Sequence, residues 1–139
     1  MKFSTKSDYA ARAVLGLAEY YPDGGARRVE ELAKSQGISS NYLVQILIDL
    51  KSDGIVRSLR GKGGGYLLAR SPSEISLGDI IRCCYGQVFD SPALNDERCP
   101  NSLKSAWNQL GKGFGNLADE INFQDLLDEE SEQGKMYYI

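Results

Sequence analysis

The chain is 139 residues long, with 42% apolar and 25% charged residues and a net charge of −3, which suits a single compact core carrying one protruding element. No uninterrupted apolar run approaches the roughly 20 residues needed to cross a bilayer, and Met1-Lys2-Phe3-Ser4-Thr5-Lys6 has no signal-like apolar core, so no membrane partner and a cytoplasmic location are expected. Histidine is absent, which removes the commonest general base, every Cys/His nucleophile pair and every imidazole zinc site, so an enzyme is not expected.

Ser4 or Thr5 can cap a first helix on which Ala10, Val14, Leu17, Ala18 and Tyr21 recur at helical spacing, and Pro22-Asp23-Gly24-Gly25 ends it. A short second helix runs from about Val29 to Ser35 and stops at Gly37. After the tight turn Gln36-Gly37-Ile38-Ser39, Ser39 or Ser40 caps a third helix with Leu43, Ile46, Leu47 and Leu50 on one side and Gly54 at its close. Two helices, a glycine-containing turn and a capped third helix form the pattern of a helix-turn-helix.

Alternation in residues 55–60 and 65–70, on either side of Gly61-Lys62-Gly63-Gly64, predicts a β-hairpin. Placed directly after a helix-turn-helix, such a hairpin is a wing. Its tip carries Arg60 and Lys62 among glycines that let backbone come close to a polyanion. A nucleotide phosphate loop would need a helix after the glycines, where a strand is predicted instead. Charge supports a nucleic-acid face: residues 1–70 hold eleven Lys or Arg against seven Asp or Glu, while residues 71–139 hold five against twelve. Binding to phosphates depends on local charge, so the basic half can meet DNA while the acidic half faces away.

Ser76-Leu77-Gly78-Asp79 is a capping box for a fourth helix reaching about Cys84, and residues 85–101 read as loop. Beyond it, Leu103, Trp107, Leu110, Phe114, Leu117 and Ile121 follow alternating steps of four and three, a heptad seam that asks for a partner unless it packs on its own domain. Gly111, Gly113 and Gly115 weaken that helix by about 1 kcal/mol each unless they admit another helix closely. Asn122 can cap a short helix with Phe123, Leu126 and Leu127. The acidic stretch 128–134 is expected to be a mobile tail, and Met136-Tyr137-Tyr138-Ile139 to dock. The expected fold is therefore mainly α with a small β-hairpin. A winged helix-turn-helix over 1–82 is followed by a loop or sensor region over 83–101, then by a long dimerisation helix and tail over 102–139.

These segments resemble the Rrf2 (Rrf-two) family of bacterial winged-helix repressors, whose members include regulators of iron-sulfur clusters and of cysteine metabolism. The similarity covers nearly the whole chain. It rests on Phe3 to Ala10, Ile38 to Leu47, the wing Arg60 to Leu68, and Ile75 to Ile81. The resemblance implies a homodimer whose long helices cross and set two recognition helices in successive major grooves. It also implies DNA contact by Lys6, by Ser39, Ser40, Asn41, Tyr42 and Gln45 at the start of the third helix, and by Arg60, Lys62, Gly63 and Gly64 in the wing. Gln45 is the best base reader, since its amide can pair with an adenine edge. Tyr42 either touches phosphate or packs against the wing. Val44 departs from the iron-sulfur regulator, which has a carboxylate there, so a target sequence does not transfer.

Cluster-binding relatives group three cysteines in the loop before the dimer helix, and this chain departs from that pattern. Cys83 and Cys84 fall on the preceding helix, where neighbouring side chains diverge by about 100°, and Cys99 stands alone. An iron-sulfur cluster would need ligands from both subunits or from carboxylates. No cofactor is the expectation, with the three cysteines as core thiols or sensors; Cys99, beside Arg98 at a helix start, is the candidate switch. The expected function is thus a DNA-binding regulator answering to redox, sulfur or iron status, with a sulfur-metabolism enzyme as a further partner. The competing readings are an iron-sulfur cluster sensor regulator with ligands shared across the dimer, and a protein-interaction adaptor without DNA binding.

Overall fold

The computed structural model describes residues 3–137. Ser4 is the extended N-cap of α1 (Thr5–Ala18), and its Oγ accepts from the Ser7 N–H at 3.2 Å. Ala10, Ala13, Val14 and Leu17 recur on one face and are all buried, so α1 runs through the middle of the head. Helix α2 (Val29–Gln36) runs one residue past the expected Ser35 and has Gly37 as its C-cap, where the sequence predicts the stop. Ser39 is the N-cap of α3 (Ser40–Ser52), where its carbonyl, not its hydroxyl, is the bonded group, accepting from the Leu43 N–H at 2.9 Å. Leu43, Ile46, Leu47 and Leu50 close this helix onto the core.

The predicted hairpin is β1 (Val56–Leu59) against β2 (Gly65–Leu68), antiparallel, in register from Val56 opposite Leu68 to Leu59 opposite Gly65. Its far edge is also tied: Arg27 and Tyr66 exchange two backbone hydrogen bonds of 2.7 Å, anchoring the wing to the segment before α2. Gly65 permits this, because a Cβ there would run into the Arg27 carbonyl.

The capping box is present at α4 (Leu77–Tyr85): Ser76 Oγ accepts from the Asp79 N–H at 3.1 Å, and Asp79 Oδ2 accepts from the Ser76 N–H at 3.0 Å. A 3₁₀ turn (Pro92–Asn95) interrupts the loop that leads to α5 (Asn101–Glu120). Helix α5 is unbroken through its glycines. At Gly111 the close approach comes from the loop rather than from another helix, for the Phe89 ring lies 2.6 Å from where a Cβ would be.

After Ile121 the chain returns to the head. The Leu77 N–H donates to the Ile121 carbonyl at 2.9 Å, the Phe123 N–H donates to the Ile75 carbonyl at 3.0 Å, and Phe123 is fully buried in the core. Asn122 caps α6 (Phe123–Tyr137) as expected, its Oδ1 accepting from the Asp125 N–H at 2.9 Å. The helix is longer than predicted, and residues 128–134 belong to it instead of forming a mobile tail. Leu126 and Leu127 pack against the core, and Gln124 donates to Asp128 one turn on at 2.9 Å. The docking expected of Met136-Tyr137-Tyr138-Ile139 lies outside the described residues. Among the described residues the architecture is six α-helices and one two-stranded sheet, as the fold-class expectation has it.

Candidate nucleic-acid interface

Burial of Leu43, Ile46, Leu47 and Leu50 turns the opposite face of α3 outward. Ser39, Ser40, Asn41, Tyr42 and Gln45 are all exposed there. The Tyr42 ring meets Tyr9 of α1 edge-on, with centroids 5.7 Å apart, and Tyr9 carries the Arg12 guanidinium 5.5 Å from its own centroid. Val44 and Ile48 also lie outward at 40% and 47% exposure, a pair of aliphatic side chains within a polar face. The pattern itself held the signal: four apolar positions suffice for the buried stripe of α3, which leaves residues 44 and 48 as surplus.

Lys6 is held by α3. Its Nζ lies 2.8 Å from Asp49 Oδ2, and Asp49 Oδ1 accepts from Gln45 Nε2 at 3.4 Å. The bond between them raises the Lys6 ammonium above its ordinary range and holds the Asp49 carboxyl below its own, partial burial opposing both shifts. Lys6, which the resemblance offers as a DNA contact, thus also joins α1 to α3.

At the tip of the wing Arg60, Lys62 and Gly63 are exposed and Gly64 is half-buried, its N–H donating to the Gly61 carbonyl at 2.9 Å. Arg57 projects from β1 beside them, and Lys51 Nζ donates to Ser58 Oγ at 2.9 Å, fastening the end of α3 to the wing. The recognition face and the wing are therefore parts of one hydrogen-bonded frame.

The seam of α5 divides into two rows. Trp107 stacks with Phe89 at 6.4 Å and Phe114 with Phe3 at 6.0 Å, so these, with half-buried Ile121, serve the chain's own packing. Leu103, Leu110 and Leu117, spaced by sevens, stay 46%, 56% and 58% exposed. Beside Leu117 opens an apolar cleft of about 360 Å³ between α1, α4 and α5, with Phe3, Ala11, Ile80, Ile81 and Phe114 among its walls.

Cys83 and Cys84 pack against the head core. Burial, followed by a hydrogen bond to the Asp53 carboxylate, pushes the Cys83 thiol up to about 12, and burial also raises Cys84, against the opposing pull of Ser7 and Lys6. Cys99 is half-buried, its Sγ 3.7 Å from the Pro100 carbonyl oxygen. Among the described residues no three Cys, Asp or Glu side chains gather as a metal-binding group, and no helix is long and apolar enough to cross a membrane.

A family model described as "Rrf2: Iron-dependent Transcriptional regulator" matches residues 3–129. The HTH-type transcriptional regulator CymR of Bacillus subtilis is 30% identical over 141 aligned positions, covering 100% of both chains. Its solved structure, described as the global cysteine regulator, superposes with a TM-score of 0.81 at 29% identity over 93% of this chain and 98% of that one. IscR of Serratia proteamaculans is 34% identical over 91% of this chain and 83% of the relative. The structure of T. potens IscR gives a TM-score of 0.78 at 35% identity, over 99% and 97% of the two chains. These are transcriptional regulators, not enzymes, and their likeness spans head, wing and long helix together. The chain belongs to the Rrf2 family of winged helix-turn-helix, DNA-binding transcriptional regulators.

Proposed function

We propose that this chain is a repressor that grips duplex DNA as a homodimer, inserting α3 into the major groove and laying the wing along the backbone. The observation that carries the reading is the pairing of two outward surfaces on one frame: the polar face Ser39 to Gln45 with the basic wing, and the heptad-spaced row Leu103, Leu110 and Leu117. A second copy supplies what that row and the neighbouring cleft lack, apolar cover. Arg60, Lys62 and the tip glycines meet phosphate or minor groove, while Asn41 and Gln45 meet base edges. Residues 1–82 with α6 act as the reading head, 83–101 as the sensing region and α5 as the dimer rod, in the cytoplasm.

An iron-sulfur cluster does not fit the cysteines of one chain. Cys83 and Cys84 are adjacent on α4 and packed on the core, and among the described residues no third ligand is gathered beside them. The reading is therefore a thiol-based or protein-based signal, with Cys99 as the candidate switch. The likeness to a protein described as a global cysteine regulator supports sulfur status as the signal, and a sulfur-metabolism enzyme is the further partner in this reading.

The test is a gel shift on the duplex upstream of the chain's own gene, against competitor DNA and over a salt series. Preference for that duplex, with affinity falling steeply as salt rises, is expected. Equal binding to every duplex, or none, contradicts the reading and favours an adaptor.

A further inference from the structure

Lys6, Asp49 and Gln45 form a chain of contacts that begins on α1 and ends at the Gln45 amide, which with Asn41 is one of two amides on the outer face of α3 suited to reading a base. An amide has two different ends, an acceptor oxygen and a donor nitrogen, whereas an ionised carboxylate only accepts. With Asp49 Oδ1 3.4 Å from Gln45 Nε2, the amide's nitrogen faces Asp49 and Oε1 faces away. Nε2 keeps its second N–H. The edge left for DNA is then one acceptor beside one donor.

That edge matches adenine, which offers the N6 amino donor and the N7 acceptor in the major groove. Guanine offers two acceptors, O6 and N7, and would set O6 against Gln45 Oε1. A freely turning amide could present its nitrogen to guanine instead. We propose that Asp49, clamped by Lys6, is a positioning residue that fixes which way round the Gln45 amide meets a base and so selects adenine over guanine at that base pair. The clamp matters because the 2.8 Å ion pair between α1 and α3 prevents the carboxylate from following the amide as it turns. Asp49 remains ionised at neutral pH, the same ion pair holding its carboxyl low, so it stays acceptor-only in the working range.

The inference rests on Gln45 reading a base, and the experiment separates the two. Each base pair of the upstream duplex is replaced in turn, and binding is measured for the full-length wild type, Gln45→Ala, Asp49→Ala, Asp49→Glu and the double variant Gln45→Ala/Asp49→Ala. Wild type should prefer adenine over guanine at one pair where Gln45→Ala loses the preference. Asp49→Ala should lower that preference about tenfold at the same pair and leave the other pairs unchanged. Asp49→Glu should retain most of it, and in the Gln45→Ala background Asp49→Ala should change nothing further. Affinity for unrelated duplex should hold or rise in Asp49→Ala, since Lys6 is freed to meet phosphate. Should Asp49→Ala fold poorly by circular dichroism, Asp49→Ser, too short to bridge to the amide, serves in its place.

An undiminished preference in Asp49→Ala, an equal loss of affinity across all sequences, or additive effects in the double variant overturns the positioning role. If Gln45→Ala leaves every preference intact, Gln45 is not a base reader and the underlying assignment falls first.

Discussion

Arg82 grips Asp119 with both arms of its guanidinium, Nη1 to Oδ1 and Nη2 to Oδ2, each at 2.8 Å, joining α4 of the head to α5. Asp79 stands 3.8 Å from the same guanidinium, so the joint continues into the capping box of α4. The pair is a direct polar link between α5 and the head.

Arg82→Ala should cost about 1 kcal/mol of stability, modest because both partners are largely exposed. The Arg82 hydrogen bonds hold the Asp119 carboxyl below its ordinary range. A depressed folded value means the contribution is complete above the unfolded carboxylate value, about 4, and is lost as pH falls through the folded one. Melting curves across the acid range should show the gap between wild type and Arg82→Ala closing at low pH.

Leu110→Asp places a charge in the middle of the exposed row on α5, in a side chain that does not support the head. Sedimentation should show single chains with helical content retained. Operator affinity should fall on the order of 100-fold, as a second half-site is no longer held nearby. A dimer surviving this change would place the interface elsewhere.

Cys83, with its thiol pushed up to about 12, should resist alkylation near pH 8, where only about one molecule in ten thousand carries the thiolate, and should react fully once unfolded. A folded value raised above the unfolded one, about 8.5, gives stability that is complete below that pH and drains away as pH climbs toward 12. Denaturant titrations of wild type and Cys83→Ala should diverge in their alkaline limbs. Mass-resolved labelling of the native protein identifies which thiol reacts first.

Arg60→Ala and Lys62→Ala should each weaken binding to all duplexes alike and reduce the slope of log affinity against log salt by about 1. Gln45→Ala, by contrast, should alter sequence preference with little change in slope. Fluorescence anisotropy over a salt series reads both quantities.

Much of this arrangement is legible in the sequence because its signals are local. Ser4, Gly37, Ser39 and the Ser76–Asp79 box mark helix ends through bonds spanning only a few residues, and the glycine-flanked alternation of the wing is equally local. What escaped was long-range. Nothing near Asp128 in sequence announces that Phe123 is buried under α1 and carries α6 with it, so an acidic helix reads as a tail. The seam of α5 has a clear period, but which row serves its own chain depends on Phe3 and Phe89, distant in sequence. The Lys6–Asp49 ion pair likewise joins residues far apart in sequence.

The most direct measurement is the mass of the complex formed on the upstream duplex by sedimentation with labelled DNA at physiological salt. Two chains per duplex, formed in one cooperative step and abolished by Leu110→Asp, is the predicted result. One chain per duplex, or a mass that grows with every added protomer regardless of sequence, would contradict the paired reading heads.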